Sequence, residues 1–360
     1  MINSDWEGPW VTADHAFDIM RQGIKDGDKL FSAISAYDDY LAYVVKKKDY
    51  EPGNTLVLMA PFLIAFGLDD GFLTTKAKEN ANFISGSLKA IELLRQHYTV
   101  NIISTSYQQY VHYTTYLAGI PEENTYCTQF LIDEYAKDIS QEDKDIVCTI
   151  AESIVSMGPI DIDPADKTSK ETIESIRKMN HFFRGLLTNT GFSRLMDEVK
   201  PVGGVRKFEA VVQALQKEKL GLDRSATIGD SITDWNMLKN TRDAGGLALS
   251  FNGNEYAVSN CNVAVMSQNC LVTALLVDVF ERSGLEAVKD LTSDWGWSSV
   301  KEMYNKGLME ESIYNSFRQA FTGADFPHAV WVTPEIMDET IKVSKSYRRS
   351  VRGTKIGTLG

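Results

Sequence analysis

The sequence predicts an α/β fold: a Rossmann-like parallel sheet with a helical cap insertion, a second helical insertion and a helical C-terminal extension. Three observations carry that expectation. First, four short runs, TVNIIS ending at Ser104, RSATIG running into Asp230, GGLALSF at 245–251 and NVAVMS at 262–267, are β-branched or apolar along their length, the pattern of strands buried on both faces. Second, amphipathic helical patterns, SLKAIELLRQHY and KFEAVVQALQKEKLGL, precede the first two runs, and strands alternating with helices argue for a parallel sheet covered on both sides. Third, 360 residues with 43% hydrophobic and 24% charged content suffice for a sizeable core and argue against disorder.

In chain order, a short strand ends at Asp5, and SDWEGPW then places Asp5 and Glu7 two positions apart before a Gly8-Pro9 turn. Residues 13–48 carry helical periodicity, with Ala16, Ile19, Met20 and Ile24 on one face and Leu30, Phe31, Ile34, Tyr37, Leu41 and Val44 on that of a second helix. LVLMAPFLIAFGL, with Pro61 inside it, is too short to span a bilayer and reads as a buried helix. Residues 126–200 read as mostly helical, with DIDPADKTSKETIESIRKM as a loop-to-helix start. Residues 286–360 read as a helical tail whose basic run (Lys342, Lys345, Arg348, Arg349, Arg352 and Lys355) is expected to be a solvated helix face and a frayed terminus. These stretches divide the chain into a core of 1–11, 86–125 and 201–285, a cap of 12–85, an insertion of 126–200 and an extension of 286–360.

The net charge of −12 argues against a nucleic-acid binder and against attraction to anionic lipid. The four cysteines, Cys127, Cys148, Cys261 and Cys270, form no CxxC pair. That usage reads as reduced and cytoplasmic, with no zinc spacing and no visible signal peptide. The five histidines show no metal-ligand spacing and are expected to be surface or satisfied core residues.

Ligands on an open parallel sheet bind beyond the C-terminal ends of the strands. Asp5, Ser104 and Asp230 stand at three such ends, Asp234 follows in GDSITD, and Lys207 opens the helix before that strand. Packing does not call for that set. In this order the residues resemble the four motifs of the haloacid dehalogenase-like superfamily, within it the phosphoserine-phosphatase-like branch. Asp5-Trp6-Glu7-Gly8 matches the Asp-x-Asp motif with a departure at Glu7, and Ser104, Lys207 and Gly229-Asp230-Ser231-Ile232-Thr233-Asp234 match the other three. The match covers about half of the chain. The Asp-x-Glu-Gly-Pro form also resembles an archaeal branch labelled as a subunit of an energy-converting hydrogenase.

The resemblance implies a Mg²⁺-dependent phosphatase acting on a small phosphorylated metabolite. Asp5 would be the nucleophile and Glu7 the general acid and base. Ser104 and Lys207 would bind the phosphoryl oxygens, and Asp5, Asp230 and the backbone carbonyl of Glu7 would hold Mg²⁺. Asp234 would orient Lys207 or a metal-bound water rather than bind the metal directly. Asp14 and Thr105 are further substrate-binding candidates, although Asp14 also sits at a helix start, where capping accounts for it. The physical reasons stand apart from the family. A carboxylate nucleophile divides a very slow hydrolysis into two displacements, and a cation must separate that anion from the phosphoryl group. The alternatives are an accessory subunit or binding module without turnover, and a phosphotransferase on the same core. Neither nucleic acid nor stable membrane insertion is expected; a protein partner through the C-terminal extension is.

Overall fold

The computed structural model describes residues 1–45, 50–161 and 169–357. Residues 162–168 of the expected DIDPADKTSKETIESIRKM loop-to-helix start, residues 46–48 of the 13–48 helical pattern, and the side chain of Lys355 lie outside the described residues. Seven strands form one sheet: β1 (Ile2–Ser4), β2 (Val100–Tyr107), β3 (Thr125–Thr128), β4 (Ala226–Gly229), β5 (Leu247–Phe251), β6 (Val263–Met266) and β7 (His328–Trp331). Their order is β3-β2-β1-β4-β5-β6-β7. The first six are parallel and β7 is antiparallel to β6. The parallel part has the doubly wound 3-2-1-4-5-6 order, which places a crevice where the connections change direction beside β1. The fold is therefore the expected Rossmann-like α/β sheet with helical insertions and a C-terminal extension.

Two strands depart from the expectation. β3, TYCT, lies where a helical insertion was expected to begin, and β7, HAVW, interrupts the expected all-helical tail. Each is four residues long and pairs along one side only, so neither carries the long apolar run of a central strand.

The two faces of the sheet differ in chemistry. Ile2, Ile102, Ile228, Leu249 and Val265 point into the main apolar core against the Leu271–Ser293 segment, helical on both sides of a kink at Gly284 (φ 80°, ψ 178°). The alternate positions Asn3, Asn101, Ser225 and Thr227 are buried polar groups joined across strands: Asn3 Nδ2 donates to Ser225 Oγ at 3.0 Å and Asn101 Nδ2 to Asn3 Oδ1 at 3.0 Å. A period of two thus puts one apolar face against this core, while the other face combines the hydrogen-bonded ladder with further apolar side chains, Ile103, Ala248 and Ala264, in two smaller clusters.

The 13–48 pattern forms His15–Gly23 and Gly27–Asp39, and the LVLMAPFLIAFGL run forms Thr55–Ala65, which buries Leu56 through Ile64. Among the described residues, no single helix is long and apolar enough to cross a membrane. These helices share one hydrophobic core with Gln141–Val155, Lys170–His181 and Phe192–Glu198. Ile34, Met59, Phe62, Val147, Met179 and Phe192 lie inside it. Two stretches far apart in sequence thus form one helical lobe over the C-terminal ends of β1 and β2. The Met337–Arg352 helix returns along the Glu255–Asn260 helix, tied by Ser344 Oγ donating to Gly253 O at 2.7 Å and by Lys345–Glu255 at 2.9 Å.

Candidate active site

β1 ends at Ser4, and its pairing fixes the next residue: the Asp5 N–H donates to Ile228 O at 2.9 Å. That bond sets the Asp5 carboxylate beside the end of β4, over the crevice. The chain then turns sharply. Gly8 has φ +103°, and a Cβ there would stand 2.0 Å from Asp230 Oδ2, so the turn accepts no larger residue in place.

Lys207, 0% exposed, lies at the start of the Val205–Glu218 helix. Its Nζ reaches Asp5 Oδ1 at 2.8 Å and Asp234 Oδ1 at 2.6 Å. The second oxygen of Asp234 is also engaged, accepting from the Asp230 and Ser231 N–H groups, each at 2.9 Å. Asp234 therefore holds Lys207 and the GDS loop, although its oxygens lie within 4.8 Å of those of Asp5 and Asp230. Burial works against the Lys207 charge, but Asp234 and Asp5 more than offset it and hold the amine above its ordinary value. Burial and the charge of Asp234 push the Asp5 carboxyl up, against the pull of Lys207. A further cation beside Asp5 would restore its ionised form.

Glu7 points away from this cluster. Its Oε1 accepts from the His15 N–H at 2.9 Å. Burial first, and Asp14 second, push its carboxyl up to about 8. Ser104 is buried, with Oγ accepting from the Ser106 N–H at 3.2 Å. Thr105 Oγ1 donates to Val202 O at 2.9 Å. Asp14 caps its helix, accepting from the Phe17 N–H at 2.9 Å. All of these residues except Lys207 and Asp234 line one cavity of about 140 Å³, whose far wall is acidic through Asp38 and Asp39 of the helical lobe. Burial and then Asp38 raise the Asp39 carboxyl to about 7.

Two residues of the site were expected to lie elsewhere. Arg348 and Arg352 belong to the basic run read as a solvated face, yet their side chains are 3% and 7% exposed and reach the cavity. Arg348 Nη1 donates to Asp230 Oδ2 and, at 3.1 Å, to Asp230 O. Arg352 Nη1 donates to the same Oδ2 at 3.2 Å, Nε to Thr12 O at 3.3 Å and Nη2 to Ala13 O at 2.9 Å. The signal was the four-residue spacing Thr340, Ser344, Arg348, Arg352, one helix face on which the first three are buried. Lys342 and Arg349 are exposed, as that reading had it.

His15 is a second correction. It is buried and stacked on Tyr110, with ring centroids 4.5 Å apart, and neither ring nitrogen has a hydrogen-bond partner among the described residues. Burial lowers its pKa to about 3, so it stays neutral.

The donor set fits a hard divalent cation. Asp230 Oδ1 is buried with no hydrogen-bond partner among the described residues, and Asp230 offers one carboxylate oxygen within 4.8 Å of one each from Asp5 and Asp234. Oxygen ligands of this kind suit Mg²⁺.

No family model matches the sequence, and no curated protein matches it. Among solved structures, a gene product from Archaeoglobus fulgidus is 26% identical with a TM-score of 0.80, over 100% of this chain and 98% of that one. A HAD family hydrolase from Salmonella enterica serovar Typhi is 10% identical with a TM-score of 0.44, over 72% of this chain and 65% of that one. A phosphoserine phosphatase is 12% identical with a TM-score of 0.38, over 74% of this chain and 94% of that one. The first likeness extends over the whole fold, insertions and extension included.

Proposed function

We propose that this protein hydrolyses a small phosphate monoester in the cytoplasm, with Mg²⁺, through an aspartyl-phosphate on Asp5. The observation that carries the reading is Lys207 bridging Asp5 and Asp234 beneath a cavity at the ends of β1 and β4. Asp5 Oδ1 is committed to Lys207 and to the Trp6 N–H at 2.7 Å, which leaves Oδ2 to attack phosphorus. The bond from phosphorus to the leaving oxygen breaks, and Glu7, held protonated near neutrality, gives its proton to that oxygen. Glu7 then takes a proton from the water that attacks the phosphoryl group, and Asp5 is released with inorganic phosphate. Lys207 and the Ser104 hydroxyl face the charge that spreads over the phosphoryl oxygens. Asp5, Asp230 and the Glu7 backbone carbonyl would hold Mg²⁺, which supplies electrostatic stabilisation of that same charge.

A second reading is a binding module without turnover, the role a hydrogenase subunit of this form would have. The pairing of Arg348 and Arg352 with Asp230 favours it, because those arginines use one oxygen of a carboxylate the phosphatase reading assigns to the metal. Purified protein with Mg²⁺ and a panel of amino-acid, sugar and nucleotide monophosphates separates the two. The phosphatase reading expects release of inorganic phosphate, and loss of essentially all of it in Asp5→Asn with the fold intact. Phosphate appearing on an added alcohol instead of in solution would mark a phosphotransferase. No turnover across the panel would leave the binding-module reading.

A further inference from the structure

Asp230 meets three kinds of neighbour. Its Oδ2 is shared by Arg348 and Arg352, its backbone carbonyl accepts from Arg348 and from the Asn254 N–H, and its Oδ1 is buried without a hydrogen bond among the described residues. Both guanidinium groups come from one helix, four residues apart, and both are almost fully buried. Once ionised, as a metal-bound Asp5 would be, the three carboxylates Asp5, Asp230 and Asp234 face the three cations Lys207, Arg348 and Arg352, and the charges balance locally. Without the two arginines, the same cluster would carry two uncompensated negative charges, the balance a divalent cation meets. With them, a divalent cation enters a site that is already neutral, beside two buried positive charges. Coulomb repulsion of a dication by a unit charge a few ångströms away is strong where water is excluded.

We infer that Arg348 and Arg352 are resident counter-cations of Asp230, and that through them the C-terminal helix sets how tightly the site binds a divalent metal. They are positioning residues acting through Asp230. Arg352 also grips Thr12 O and Ala13 O, where the chain leaves the sheet for the helical lobe. The fork thus joins the metal-binding carboxylate to the base of that lobe. The inference rests on the phosphatase reading in taking Asp5 and Asp230 as the metal pair.

The test measures metal affinity without turnover. Mn²⁺ is titrated calorimetrically into full-length wild type, Arg348→Met, Arg352→Met and Arg348→Lys, with circular dichroism to verify folding. Methionine keeps an apolar stem and removes the charge, whereas lysine keeps the charge. Each methionine variant is expected to bind Mn²⁺ at least tenfold more tightly than wild type, and Arg348→Lys to remain within a few-fold of it. Adding Asp230→Asn to Arg348→Met should abolish the gain, which places the binding at this carboxylate. The melting temperature gives a second readout, because a ligand that binds the folded state raises it. Mn²⁺ should therefore stabilise the methionine variants more than wild type. Equal or weaker binding in the methionine variants overturns the inference, as does failure of every form to bind Mn²⁺. Phosphate release on the monoester panel decides the phosphatase reading separately, so tighter Mn²⁺ binding without turnover would sink that reading and leave the role of the arginines standing.

Discussion

Glu7 and Asp5, two positions apart, stand in different surroundings. Asp5 faces Lys207, whereas Glu7 faces the start of the His15–Gly23 helix, and burial with Asp14 nearby raises its carboxyl from 4.5 to about 8. A general acid with that value is protonated below about pH 8, so transfer of the phosphoryl group to Asp5 should be level below that pH and fall tenfold per unit above it. In Glu7→Gln this basic limb should vanish, with the rate about 10²–10⁴-fold lower for substrates with poor leaving groups. Aryl phosphates should still phosphorylate Asp5, and intact-mass spectrometry should detect the trapped species. Equal loss for good and poor leaving groups would remove Glu7 from the chemistry. The sign for stability follows from the same shift. A folded pKa raised above the unfolded value gives stability that is full below about pH 4.5 and lost as pH rises through about 8. Glu7→Gln should therefore gain on wild type in urea melts at pH 9 relative to pH 6. At this scale the sequence was readable where a residue follows a strand: Asp5 after β1 and Asp230 after β4 line one cavity with Ser104, which was expected at a strand end but lies inside β2, where its pairing with β3 shifts register. Asp234 followed from the GDSITD spacing and Lys207 from its place at the start of the preceding helix. Arg348 and Arg352 were not readable as site residues, because a basic run at a helix end has the same composition whether it is solvated or buried.

Among the elements, the Met337–Arg352 helix depends on small side chains at its contact face. Ser344 is fully buried and donates to Gly253 O, in the loop that leads from β5 to the Asn254 cap. Ser344→Leu would force an isobutyl group into that contact and leave the Gly253 carbonyl without its donor. Overpacking of this kind costs about 1–3 kcal/mol, measurable as a lower urea midpoint at unchanged slope. An unchanged midpoint would mean that the helix docks loosely, contrary to its two buried arginines. The strands show how far local pattern reaches. β2, β4, β5 and β6 were readable from their apolar runs because each is buried on both faces. β3 and β7 were not, since at the margins of the sheet one partner strand decides the conformation and the four-residue segment itself carries little signal.

Among the described residues, the two largest bodies of core lie one under the sheet and one in the helical lobe, with two smaller clusters on the other face of the sheet. The lobe draws on residues from Ala16 to Leu73 and from Phe130 to Val199, so neither stretch buries its apolar face alone. Phe183 illustrates the sharing. Its ring stacks on Tyr37 at 5.6 Å and meets Phe62 edge-on at 6.3 Å, joining the later stretch to the earlier one. Phe183→Ala should cost about 3–5 kcal/mol. Native-state hydrogen exchange should then show faster opening in Gly27–Asp39 and Thr55–Ala65 together with Lys170–His181. Acceleration confined to the last helix would mean two independent insertions. Sequence periodicity identified the helices but not their union, because helical spacing marks an apolar face without naming what covers it.

β1 pairs with Val100 on one side and Ala226 on the other, through the same Ile2. This interior strand therefore has no neighbour close to it in sequence, and its hydrogen bonds form only after two long loops close. Such non-local pairing slows folding. During synthesis, which proceeds from the N-terminus, the segment bearing Asp5 leaves the ribosome long before the strand that will flank it exists. Until then Asp5 has neither Lys207 nor Asp230 beside it, and β1 itself, only Ile2-Asn3-Ser4, carries too little apolar surface to hold its place before those partners arrive.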